Sequence, residues 1–356
     1  MAKLIFCFDG TSNDPSDSAD FFEDSSISNI LKLHALFGGT LSTKCSNKIN
    51  QQEQKSFYYS GVGTRGNWLR QKLNAMFSPP HGEMNEIIKQ AKEDLKQFKL
   101  GDEIYIFGFS RGAAIARMFA AKHLDGKKVK FLGVFDTVAA IRGSLDLDRS
   151  TYPASGILFE NGTLGKQVEK ALHLLSIDEK RLAFQPTLFN KDERVTEIWF
   201  SGVHSDIGGG YWFDALSDIT LDFMCKEAKK QGLSLLKADE IEYDIFNEED
   251  IEDENKICID DIEITPLLKG KLHEQLRSTI VNKTLAPRFV RVNVDDKYSK
   301  DHLPIIHHSV YERFLDVTSY RPYSLRNCRY KIIFNNGKIG EESYLGINGL
   351  RNIKVE

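Results

Sequence analysis

The chain opens on an unbroken apolar run, Leu4-Ile5-Phe6-Cys7-Phe8, stopped by Asp9-Gly10-Thr11. So short a run, apolar on both faces and closed by turn residues, predicts a buried strand that feeds a loop. Polar and acidic residues follow. A helix is then predicted from an N-cap at Ser25 or Ser26, with Ile27, Ile30, Leu31 and Leu33 apolar and Gly38-Gly39 at its end. Phe57-Tyr58-Tyr59 predicts a second strand, closed by Gly61-Val62-Gly63. Met84, Ile87, Ile88, Ala91, Leu95 and Phe98 share one helical face, which Gly101-Asp102 interrupts. Strands are predicted over 104–107, 129–135 and 195–203. Helices are predicted over 111–124, about 165–175 and about 217–231.

Strands and helices thus alternate through residues 1–231, which implies an α/β fold with a mostly parallel central sheet flanked by helices. Residues 232–301 break the rhythm and read as an insertion or cap. Residues 328–356 alternate weakly around Asn335-Asn336-Gly337, the pattern of a terminal hairpin. With no internal repeat and no low-complexity linker, the 356 residues read as a single domain, its core about 1–231 and 302–356.

Charged residues at 28% and hydrophobic ones at 41% permit a sizeable core and exclude a disordered chain. No apolar run reaches the length of a membrane-spanning helix, and residues 4–8 are too few for a signal peptide, so a cytoplasmic product is expected as synthesised. Cysteines 7, 45, 225, 258 and 328 are scattered without a C-x-x-C pair, which argues against a disulfide framework or a zinc site and for a reducing compartment. A net charge of −4 leaves no nucleic-acid footprint. The charge is unevenly spread: residues 239–263 hold thirteen acidic residues and one Lys, a net of −12, so the remainder carries +8. A basic body of that kind suits peripheral contact with an anionic membrane. The acidic segment, which also holds Ile241, Tyr243, Ile245, Phe246 and Ile251, reads either as a solvated surface insertion or as a regulatory cap and protein-partner surface.

Gly108-Phe109-Ser110-Arg111-Gly112 is a G-x-S-x-G sequence with a buried strand before it and an alanine-rich helix after it. That context is a nucleophile elbow, an α/β-hydrolase-like feature in which a sharp turn exposes Ser110 at the strand's end. A serine hydroxyl needs a base, and the base needs an orienting acid. Asp136 ends the strand 129–135, and His204 follows the strand 195–203. In parallel α/β sheets such strand ends converge on one edge, so Ser110, Asp136 and His204 are the candidate triad. Asp206 is an alternative acid, and His307 and His308 are alternative bases. An oxyanion hole would take the Arg111 N–H and a second donor from Gly10-Thr11, in the loop after the first strand. Phe8-Asp9-Gly10-Thr11 also resembles the D-x-D-G-T start of aspartate-nucleophile phosphatases, but the nucleophile's position holds Cys7. The chemistry requires no metal or organic cofactor. The rivals are an esterase acting on a soluble ester, a non-catalytic interaction module that keeps the fold, and metal-assisted hydrolysis with Asp9, Asp136, His204 and Asp206 as ligands.

Five segments occur in order. They are Phe6-Cys7-Phe8-Asp9-Gly10-Thr11-Ser12-Asn13-Asp14, Tyr59-Ser60-Gly61-Val62-Gly63-Thr64, the run from Gly101 to Ala113, Gly133-Val134-Phe135-Asp136-Thr137-Val138, and the run from Gly202 to Tyr211. Together they resemble the catalytic domain of the type VI secretion phospholipase effectors, over most of 3–225 and again at 302–313; Asp178-Glu179-Lys180-Arg181 and His307-His308-Ser309-Val310-Tyr311-Glu312-Arg313 also resemble segments of that family. The resemblance implies an α/β-hydrolase fold, Ser110 as nucleophile with Asp136 and His204 as partners, hydrolysis of glycerophospholipid esters, and delivery to other cells by a contractile secretion system. Ser12 departs from the Trp that often follows the Asp-Gly-Thr.

Overall fold

The opening apolar run is strand β1 (Lys3–Phe8), and it is apolar on both faces because it has a parallel neighbour on each side and helices above and below. In this computed structural model the described residues are 1–10, 26–41, 53–61, 81–138, 164–247, 256–273 and 285–354. Helix α1 (Asn29–Leu36) follows β1, then β2 (Gln54–Tyr59), α2 (His81–Leu95), β3 (Glu103–Phe109), α3 (Ser110–Lys122) and β4 (Val129–Phe135). After these come β5 (Ala171–Ser176), β6 (Val195–Phe200), the short α4 (His204–Gly208) and α5 (Ala215–Lys230). The last part supplies a two-residue ribbon, β7 (Asn293–Val294) with β8 (Lys297–Tyr298), then β9 (Ile305–His307), β10 (Arg329–Ile333) and β11 (Tyr344–Leu345).

Among the described residues nine strands form one sheet in the order β11-β10-β9-β6-β5-β4-β3-β1-β2. All its pairings are parallel except β10 with β11. One face packs Ile5, Cys7, Tyr105, Phe107 and Phe131 against α1 and α5 residues such as Ile30, Leu33, Leu221 and Met224. The other packs Leu4, Phe6, Ile104 and Ile106 against Ile88 and Leu95 of α2 and Ala116 and Phe119 of α3. No described helix is long and apolar enough to cross a membrane.

Two expectations are corrected. Residues 171–176 form a strand where the pattern predicted a helix over about 165–175: all six are buried, so Ala171, Leu172, Leu174 and Leu175 carry no two-residue period and fit either element. Helix α1 starts at Asn29, capped by the Ser28 hydroxyl, which accepts the Leu31 N–H at 3.2 Å. Residues 26–28 are drawn instead into pairing with Gly209-Gly210, through Ser26 N–H to the Gly210 carbonyl and Gly210 N–H to the Ile27 carbonyl. The expected terminal hairpin forms, with β10 antiparallel to β11 and the Phe334 N–H donating to the Lys338 carbonyl, and β10 also joins the main sheet beside β9 in parallel.

The 232–301 region has two destinations. Its acidic part packs Ile241, Phe246, Ile257 and Ile262 into the core beside α1. Asn247 ties 243–247 to Ile257 through two 2.9 Å hydrogen bonds, and residues 248–255 lie outside the described residues. Its later part, 264–273 and 285–292, turns toward the carboxyl ends of the strands.

Lys32 on α1 is wholly buried and pairs with Asp214 and, at 3.3 Å, with Asp218 of α5. Asp218 also accepts the Thr265 N–H at 2.6 Å. Removing the cation would strand a buried carboxylate, so Lys32→Met should lower the unfolding free energy by about 3–5 kcal/mol in a urea titration. Asp218→Asn added to the same chain should recover part of that loss. A loss below about 1 kcal/mol would show that the pair behaves as a solvated surface bridge.

Candidate active site

Strand β3 runs out at Phe109, and Ser110 opens α3 with a φ of +57°. A non-glycine residue in the left-handed region is strained, and the strain is the geometric content of the elbow: the chain reverses within one residue and turns Oγ out of the sheet edge. The flanking glycines permit this. A Cβ on Gly112 would stand 2.2 Å from the Asp9 carbonyl oxygen, and one on Gly108 would stand 2.7 Å from the Ala113 Cα. Gly112 therefore lets the β1 loop lie directly against the start of α3.

Asp136 follows β4, the strand next to β3, and His204 follows β6, two strands further on. The parallel register carries all three residues to the same edge. His204 Nε2 lies 2.8 Å from Ser110 Oγ, and Nδ1 lies 2.6 Å from Asp136 Oδ2. An ionised carboxylate only accepts, so Nδ1 carries the proton and donates it to Asp136, which leaves Nε2 to accept from the serine hydroxyl. Burial works to raise the Asp136 carboxyl, but the Arg288 guanidinium and then the His204 hydrogen bond and charge outweigh it and hold it well below the usual carboxylate range. Burial holds the His204 imidazole below its ordinary value, against the Asp136 hydrogen bond and charge, which favour the cation. The ring is closed in by Phe109 and Phe184, with centroids 4.7 and 5.0 Å away.

The expected oxyanion donors fare differently. The Arg111 N–H follows Ser110 at the start of α3. The Gly10 N–H is turned to its neighbour's carboxylate, Asp9 Oδ1, at 2.6 Å. Thr11 lies outside the described residues. Asp9 Oδ2 also accepts from the Ser28 hydroxyl at 2.6 Å and the Tyr58 hydroxyl at 2.7 Å. This carboxylate fastens the β1 loop to α1 and β2.

The alternative residues point elsewhere. Asp206 accepts the Val203 N–H at 2.9 Å and meets His273 Nδ1 at 2.6 Å, with the His273 ring stacked on Tyr211 at 3.8 Å. His307 is buried against Phe200 and Phe223, its Nδ1 2.8 Å from the Ser309 hydroxyl. His308 lies 3.2 Å from Glu312, and burial lowers its imidazole to about 4. Asp9 and Asp206 therefore do not converge with Asp136 and His204, and among the described residues no three His, Cys, Asp or Glu side chains gather as metal ligands.

Sequence reasoning missed two residues. Glu179 accepts the His204 backbone N–H at 3.2 Å and is forked by Arg181 at 2.9 and 2.8 Å. Burial opposes its ionisation, but Arg181 prevails and holds the carboxyl at about 2. Its signal was the run Asp178-Glu179-Lys180-Arg181, which specifies no role by itself. Arg288 contacts Asp136 from 152 positions away and left no local signal.

A family model described as T6SS, phospholipase effector Tle1-like, catalytic domain matches residues 2–125 and 121–227. A Saccharomyces cerevisiae protein described as uncharacterized protein YEL023C is 33% identical over 131 aligned residues, covering 33% of this chain and 17% of that protein. Among solved structures, an uncharacterized protein from Pseudomonas aeruginosa superposes with a TM-score of 0.45 and 21% identity, covering 74% of this chain and 49% of its own. The Tle1 effector solved bound to the VgrG spike gives a TM-score of 0.38 and 24% identity, covering 59% and 51%. The chain spans about half the length of those two solved proteins. With the match extending over 2–227, more than half of its residues, the chain belongs to the Tle1-like phospholipase effector catalytic-domain family of the type VI secretion system.

Proposed function

We propose that this protein is a serine-dependent carboxylic ester hydrolase that cleaves acyl esters of phospholipids through an acyl-enzyme on Ser110. The observation that carries the reading is the relay from Ser110 Oγ to His204 Nε2 at 2.8 Å and from His204 Nδ1 to Asp136 at 2.6 Å. Family membership supports lipid as the substrate class and a type VI secretion system as the route of delivery. The domain is read as one unit, with a core of about 1–231 and 302–356 and an insertion or cap of about 232–301.

In this scheme Ser110 Oγ attacks the acyl carbonyl carbon while its proton passes to His204 Nε2. The oxyanion that forms is met by the Arg111 N–H. Collapse breaks the ester C–O bond, and the leaving alcohol takes the proton back from His204. Water then repeats the attack on the acyl-enzyme, with His204 again as base, and releases the carboxylic acid and free Ser110. Asp136 holds the imidazole in the tautomer whose Nε2 can accept, and it balances the imidazolium when it forms.

Ser110→Ala should remove fluorophosphonate labelling and reduce phospholipid turnover, read by mass spectrometry of the released fatty acid, to the small residue that the remaining donors support. Full turnover by a purified, folded Ser110→Ala protein would end the serine reading. Short soluble esters assayed beside vesicles separate a lipid enzyme from a general esterase.

Asp136→Asn should lower kcat by about 10,000-fold with little change in KM. Asp206→Asn, which disturbs His273 rather than His204, should cost far less. The reverse order would assign the acid to Asp206.

The base acts only when neutral. Burial lowers His204, so the labelling rate should climb with pH along a limb centred below the ordinary value of about 6.5 and stay flat above it. A limb centred above that value would contradict the buried, neutral imidazole.

A further inference from the structure

Asp136 is held by a residue from outside the family-matched segment. Arg288 is 2% exposed and projects from the stretch 285–292. That stretch is fastened beside the loop after β5 by an antiparallel bridge, Arg181 to Leu285, and by the Ala286 N–H on the Lys180 carbonyl at 2.7 Å. Arg288 Nη1 donates to Asp136 Oδ1 at 2.5 Å and Nη2 to Oδ2 at 2.8 Å. The same two nitrogens donate to the Ser176 carbonyl at 3.0 Å and the Phe184 carbonyl at 2.6 Å.

We propose that Arg288 is a positioning residue of the triad, forking the Asp136 carboxylate so that it meets His204 in one orientation and balancing its charge inside the site. The proposal rests on the serine-hydrolase reading above. It makes the late insertion a working part of the site.

The donor count supports it. Asp136 Oδ1 receives the Ser176 N–H at 3.1 Å and Arg288 Nη1, while Oδ2 receives His204 Nδ1 and Arg288 Nη2. A carboxylate offers about four lone-pair sites, so this one is filled and cannot turn without breaking charge-assisted bonds. The other charged and titratable groups facing the pair are Glu179, Arg181 and His173. Glu179 and Arg181 fork each other. His173 accepts the Thr137 N–H at 3.0 Å and sits 2.8 Å from Glu197. Arg288 is thus the cation paired with Asp136. It also holds Phe184, the ring set edge-on to His204.

Orientation and charge make separable demands. A lysine keeps the charge but has no planar fork; a methionine keeps neither. Without the guanidinium, the buried Asp136–His204 pair would retain its shared proton to higher pH, whichever partner held it.

The test uses the full chain with Arg288→Lys and Arg288→Met. It reads kcat, KM and fluorophosphonate labelling on a short-chain p-nitrophenyl ester across pH, with circular dichroism to confirm folding. Arg288→Met should lower kcat about 100-fold with KM within about threefold, and should move the acid limb up by about one pH unit. Arg288→Lys should keep the limb near wild type and lower kcat about tenfold. Folded variants that both keep wild-type kcat and limb would overturn the proposal, as would a fall in melting temperature alone. If Arg288→Met does not fold, Arg288→Lys decides: wild-type kcat overturns the proposal, and a reduced kcat with an unmoved limb supports it. Turnover surviving in Ser110→Ala would instead overturn the reading beneath, and it is measured independently of either Arg288 variant.

Discussion

An ionised carboxylate removed from water must be met by opposite charge and by hydrogen bonds, or it takes up a proton. Asp136 is wholly buried, and the carboxyl edge of the sheet is arranged around that requirement. β4 sets it down beside the elbow strand, the last residue of β5 gives an N–H, the turn after β6 delivers the imidazole, and the late insertion delivers a guanidinium. Donors from three other stretches of chain thus meet on its two oxygen atoms. The position of His204 over Ser110 is one outcome of this convergence, and the edge-on contact of Phe184 with the ring is another.

Legibility of the fold tracked locality. β1, β3 and β4 were readable because short apolar runs ending in Asp-Gly-Thr, Gly-Phe-Ser or Asp-Thr each contain their own stop signal. The elbow was readable because strand, turn and helix are contiguous. β5 was not: a strand buried on both faces has no alternation, and Leu172, Leu174 and Leu175 suit a helix as well. His173 lies within it and is wholly buried. It is satisfied by Glu197 on the neighbouring strand, a partner that only the sheet register supplies.

The site divided in the same way. Ser110, Asp136 and His204 stand at strand ends and could be placed from a rule about parallel sheets. Arg288 and His273 belong to a region without clear periodicity, and each meets its carboxylate only once the chain has folded back across the sheet edge. The acidic residues of that region dominate its composition, whereas the part that reaches the site is chemically plain in sequence. Charge density drew the eye to 239–263, and packing places the described part of that segment beside α1.

The sheet order bears on how the chain must be assembled. β6, which leads to His204, has β5 on one flank and β9 on the other, and β9 is made of residues 305–307. During synthesis residues up to β6 can therefore form most of a parallel sheet while β6 remains an open edge, a row of unpaired backbone groups able to recruit another strand. Only when residues beyond 285 have emerged does that edge gain its neighbour and the buried acid its cation. Completion of this buried cluster and protection against misassociation would then be the same late event.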